Sequence, residues 1–91
     1  MKLRAKHRRT LNAVFAHPVS GNIRWADIEA LVAALGGRVE KGEGSRIHFL
    51  LNDAPATFHR PHPSPMTDKG AVAAFRKYLM RLGITSQEPR Q

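Results

Sequence analysis

Ninety-one residues, 42% of them hydrophobic, suit one small domain with a single core, and the absence of cysteine excludes both a disulfide framework and a thiolate metal centre. No apolar run approaches the roughly 18 to 20 residues that cross a bilayer. Fifteen Lys and Arg against seven Asp and Glu give a formal net charge of +8, which calls for a polyanionic partner: nucleic acid, an acidic protein, or both in turn.

The first nine residues carry Lys2, Arg4, Lys6, Arg8 and Arg9 with little apolar content, and part of this arm is expected to fray. It lacks the apolar segment and cleavage site of a secretory signal, so a cytoplasmic protein is expected. Leu11, Val14 and Phe15 then recur at i, i+3 and i+4, predicting a short helix over about 5–16 that Pro18 stops. A second helix is predicted from Trp25, Ile28, Leu31, Val32 and Leu35, one apolar stripe with Asp27 and Glu29 in its first turn and Gly36-Gly37 at its end. Trp25 lies on that stripe and is read as core rather than as a base-stacking platform.

Three strands follow. Arg38 to Lys41 is a weak strand, Gly42-Glu43-Gly44 is a hairpin turn by composition, and Ser45 to Leu51 alternates strictly. In that alternation Ser45, Ile47, Phe49 and Leu51 point one way, and Arg46, His48 and Leu50 the other. With Asn52-Asp53 as a tight turn into a strand over Ala54 to Arg60, Leu51 faces Ala54, Phe49 faces Ala56, and Ile47 faces Phe58. His48 then faces Thr57, and Arg46 faces His59, so the apolar partners all fall on one side. Pro61-His62-Pro63-Ser64-Pro65 cannot continue a sheet. Thr67 or Asp68 is placed to cap a last helix, with Ala71, Val72, Phe75, Tyr78, Leu79 and Leu82 as its buried stripe. Arg76, Lys77 and Arg81 lie off that stripe, and Gly83 closes the helix.

These elements predict an α+β fold: a three-stranded antiparallel sheet with helices on one face, and an extra helix at the N-terminus. The domain organisation is a basic extension over 1–19, an α-β-β-β-α domain over 20–84, and a polar tail over 85–91. The uncovered sheet face presents Arg46, His48, Thr57 and His59. RNA carries its own nucleophile, the 2′-OH, so its cleavage needs a base for that proton and a donor for the leaving 5′-oxygen, and imidazole serves for either near neutrality. His48 is the first candidate and His59 the second. Arg46 stays protonated and is read as a phosphate contact, with Lys41, Ser45, Thr57 and Arg60 as further RNA-binding candidates. His7 and His17 read as ordinary surface residues. His59-Arg60-Pro61-His62 offers too few ligands for a metal, there is no Walker loop or Ser-His-Asp pattern, and neither metal nor cofactor is called for. A non-catalytic module binding RNA or an acidic protein through the same face is the alternative. A DNA-binding regulator is less favoured, because neither helix pair shows a helix-turn-helix signature.

Leu35-Gly36-Gly37, Gly44-Ser45-Arg46-Ile47-His48-Phe49, Pro61-His62-Pro63, Lys69-Gly70 and Leu82-Gly83 stand in an order and spacing that resembles the HicA family of toxins from bacterial toxin–antitoxin pairs. The resemblance covers residues 23 to 84. It implies a fold like that of double-stranded-RNA-binding domains, messenger-RNA cleavage, and neutralisation by a HicB-type antitoxin. The family's strand opens Gly-Ser-His, with that histidine as its proposed catalytic residue. Arg46 stands there in this chain, and His48, two residues on, is on the same side of the strand about 6 to 7 Å away.

Overall fold

The sheet is set by the turn at Asn52-Asp53. Both residues have positive φ, 52° and 63°, the pattern of a two-residue hairpin turn whose twist matches that of the strands it joins. In this computed structural model, which describes residues 3–86, the turn joins β3 (Arg46–Leu51) to β4 (Ala54–His59). The register pairs Leu51 with Ala54, Phe49 with Ala56, Ile47 with Phe58, His48 with Thr57 and Arg46 with His59, as parity requires. β2 (Arg38–Lys41) adds antiparallel to the other edge of β3 and completes a sheet of order β2-β3-β4.

Helix α1 (Ala5–Val14) packs against α2 (Trp25–Ala34) and α3 (Lys69–Arg81), and α2 and α3 cover one face of this sheet. Their stripes supply Leu11 and Val14, then Trp25, Ile28, Leu31 and Val32, then Val72, Phe75, Tyr78 and Leu79, all buried with Ile47, Phe49 and Leu51 of β3. Burying one such side chain contributes about 1.5–3 kcal/mol, so this shared cluster is what holds helices to sheet. Gly36, at φ 91°, ends α2 in the left-handed conformation that its glycine permits. At α3, Asp68 rather than Thr67 is the cap: its Oδ1 accepts from the backbone N–H of Ala71 at 2.7 Å.

Several local expectations are corrected. Leu3 is a core residue, and Arg8 Nη1 donates to its carbonyl at 2.8 Å, so the basic arm is docked from residue 3 onward. Only Asp27 lies in the first turn of α2, while Glu29 accepts instead from the indole N–H of Trp25. β4 ends at His59. A second, two-residue pairing joins β1 (Ile23–Arg24) to β5 (Met66–Thr67) and sets the start of α2 beside the approach to α3. From residue 87 the polar tail lies outside the described residues, as do Met1 and Lys2.

Arg76 ties α1 to α3. Its Nε and Nη2 donate to the carbonyls of Val14 and Ala16, each at 2.9 Å, satisfying acceptors at the end of α1, and its guanidinium lies 5.9 Å from the centre of the Phe15 ring. Arg76→Ala is therefore expected to cost about 2 kcal/mol in urea denaturation, with only partial recovery in Arg76→Lys, because an ammonium has no planar fork for two carbonyls.

Tyr78 fixes the sheet's turn end to α3, its hydroxyl donating to the carbonyl of Ala54 at 2.7 Å. Burial pushes its phenol above the ordinary value of 10.0, with a backbone contact at Leu51 partly opposing. The folded state thus holds this proton more tightly than the unfolded chain does. The resulting stability is complete below pH 10 and is lost as pH rises through the raised value. Tyr78→Phe is expected to flatten that alkaline loss and to cost about 1 kcal/mol at neutral pH, both read from unfolding curves across pH.

Candidate active site on the open sheet face

Directly paired residues of an antiparallel sheet share a face, so the register writes the composition of the uncovered side. Glu40, His48 and Thr57 form one row across it, Arg38, Leu50 and Pro55 a second, and Arg46 with His59 a third. All eight are exposed. Arg38 and Glu40 pair with each other at 2.9 Å, which leaves Arg46 as the unpaired cation of the face among the described residues.

Each of the two imidazoles is held by a hydroxyl. His48 Nδ1 is 2.9 Å from Thr57 Oγ1, and His59 Nδ1 is 3.0 Å from Ser45 Oγ. When Nδ1 carries the proton it donates to that hydroxyl oxygen, and the lone pair sits on Nε2. A base whose ring is oriented by a third group is the arrangement that proton transfer needs. The two histidines are diagonal neighbours, a backbone separation of about 7–8 Å that leaves room for a phosphate group between them. A cleft of about 340 Å³, lined by Glu43, Gly44, Ser45, Arg46 and His59, opens at this end of the sheet.

Ser45 reaches His59 because the alternation does not run back through it. β3 begins at Arg46, and Gly44 at φ 62° turns the chain, so Ser45 is exposed rather than pointing with Ile47 into the core. Its carbonyl accepts from the Arg60 N–H at 2.7 Å, which locks this turn to the end of β4. Lys41 and Arg60 are not brought to the open face. Lys41 pairs with Ile47 and shares its helix-facing parity, exposed at the sheet edge. Arg60 lies towards α2, its Nη2 3.9 Å from Glu29 Oε2, beside a cleft lined by Trp25 and Pro61, Pro63 and Pro65. His62 lies exposed in the proline-rich connection.

Gly42 is a site residue that the hairpin composition alone did not mark. A Cβ there would stand 2.5 Å from His48 Nε2 and 3.0 Å from its Cδ2, so the ring occupies space that only glycine leaves. Gly42 is not at positive φ, and alanine is conformationally allowed. Gly42→Ala is expected to swing the His48 ring off Thr57 and lower any His48-dependent activity by about 10²-fold, the scale of an ångström-sized misplacement. Thermal stability changes little, and a shift in the His48 ring resonances by NMR reports the displacement directly.

Polar side chains on one uncovered sheet face, backed by helices, define this chain as a small basic α+β domain with a solvent-facing imidazole site. The family model described as the HicA toxin of bacterial toxin–antitoxin systems matches residues 25–84. The chain belongs to the HicA toxin family. No curated protein and no solved structure matched the chain. The matched span begins at α2 and takes in the three-stranded sheet and α3, while α1 and β1 precede it.

Proposed function

We propose that this chain is a toxin that cleaves messenger RNA on the open sheet face and is neutralised by a HicB-type antitoxin. The observation that carries the reading is the pair of exposed imidazoles, each bonded to a hydroxyl, beside an unpaired Arg46. Arg46 holds a non-bridging phosphate oxygen. His48 Nε2 takes the proton of the 2′-OH as that oxygen attacks the adjacent phosphorus, and protonated His59 gives a proton to the departing 5′-oxygen. The P–O5′ bond breaks as the P–O2′ bond forms, leaving a 2′,3′-cyclic phosphate and a 5′-OH. Arg46 occupies the place of the family motif's histidine, and His48 and His59 take over the proton transfers.

A second reading rests on that same residue. Arginine in the motif favours phosphate binding over proton transfer, so the alternative is a module that binds RNA or an acidic protein on this face without cutting it. Expression of the chain in a bacterial host separates the two. The toxin reading expects growth arrest with loss of messenger RNA, relieved by a co-expressed HicB-type antitoxin. Arrest without any RNA cleavage would favour the binding module.

A further inference from the structure

Residues 1–26 contain six of the fifteen Lys and Arg and none of the seven Asp and Glu, leaving nine cations against seven anions in residues 27–91. The family-matched region is thus close to neutral, and most of the charge that attracts a polyanion precedes it. The structure shows where part of that charge collects. Lys6 and Arg9 of α1 and Arg24 of β1 line one cleft of about 260 Å³, with Thr10, Ala13, Asn22, Ile23 and Asp27. Asp27 is its single carboxylate, yet among the described residues neither Lys6, Arg9 nor Arg24 forms an ion pair.

We infer that this cleft between α1 and the β1–α2 junction is a second RNA contact, taking a backbone phosphate apart from the open sheet face. Its chemistry favours a phosphodiester over a protein. Protein partners anchor through buried aromatic or aliphatic side chains, and the exposed large apolar residues among those described, Leu50 and Met80, lie in β3 and α3, outside this cleft. What the cleft offers is three uncommitted cations from two elements around one open concavity with room for a phosphate. The elements are rigidly placed, because Leu11 and Val14 of α1 and Ile23 of β1 belong to the common core. Cations so placed supply sequence-independent affinity, whereas the sheet face contributes a single unpaired arginine.

The inference extends the RNA-binding reading, and its test is independent of cleavage. The probe is a fluorescent 2′-O-methylated oligouridylate, which has no free 2′-OH to attack, titrated with full-length protein at several salt concentrations. Lys6→Gln with Arg9→Gln is compared with Lys77→Gln and Arg81→Gln, which remove equal charge from α3. The α1 variant is expected to bind at least tenfold more weakly at low salt. The magnitude of its log Kd against log salt slope falls by about 0.7, one single-strand phosphate contact. The α3 variant stays close to wild type. Equal slopes for wild type and the α1 variant overturn the inference, as does an equal fall in both variants. Unchanged RNA affinity with lost binding of polyglutamate also overturns it, by assigning the cleft to an acidic protein. Absence of cleavage by wild type would count against the toxin reading and leave this result standing.

Discussion

His48→Ala is expected to lower RNA cleavage by about 10²- to 10⁴-fold, the usual contribution of one positioned acid or base, while leaving the protein folded. Stability is spared because His48 is exposed and its one side-chain bond, to Thr57, is at the surface. His59→Ala is expected to fall in the same range, since the proposed mechanism sets the two residues at opposite ends of one displacement. Combining them gives much less than the product of the single effects, as groups acting as a unit do. Growth arrest and RNA decay after induction, checked against the circular dichroism of each variant, make the comparison. If both single variants arrest growth as wild type does, neither imidazole performs the chemistry.

Phe49→Ala is expected to cost about 3–5 kcal/mol, the largest stability effect among the substitutions considered. Phe49 stacks on Trp25 at 5.8 Å between ring centres, and it meets Phe58 at 5.4 Å and Phe75 edge-on at 5.9 Å. It is the residue through which β3 touches α2, β4 and α3 together, so truncation opens a cavity that no neighbour can fill without moving an element. Small domains have about 5–15 kcal/mol in total, and a 91-residue chain belongs towards the lower end, so this variant is expected to be largely unfolded near 37 °C. Leu50→Ala, one residue along the same strand on the open face, is expected to change stability by under about 0.5 kcal/mol. Thermal melts of the pair measure how far the two faces of β3 differ.

That difference between faces was legible in the sequence. Strict alternation from Arg46 to Leu51, the Asn52-Asp53 turn and the parity of Ala54, Ala56 and Phe58 admit one register, and the structure has it. The stripes of α2 and α3 were equally legible, because four buried positions in each recur at helical spacing. Ser45 leaves the core face because alternation is a property of strand, and with Gly44 at positive φ the strand starts at Arg46, one residue later than composition implies. Its bond to His59 spans fourteen residues, beyond what local pattern can show. The β1–β5 pairing is two residues long on each side, too short for any periodicity. Arg76 caps carbonyls some sixty residues away, so sequence shows only a charge off the apolar stripe. The placement of Lys41 away from the open face did follow from parity, once Lys41 is set opposite Ile47.

The most direct test of the central claim uses purified protein and two oligoribonucleotides that differ only in a 2′-deoxy sugar at the mapped cleavage position. Cleavage through the substrate's own 2′-OH predicts a 2′,3′-cyclic phosphate and a 5′-OH by mass spectrometry from the all-ribose strand, and an intact deoxy-substituted strand. Cutting of the substituted strand at the same bond, or a 5′-phosphate product, would contradict the account of His48, His59 and Arg46.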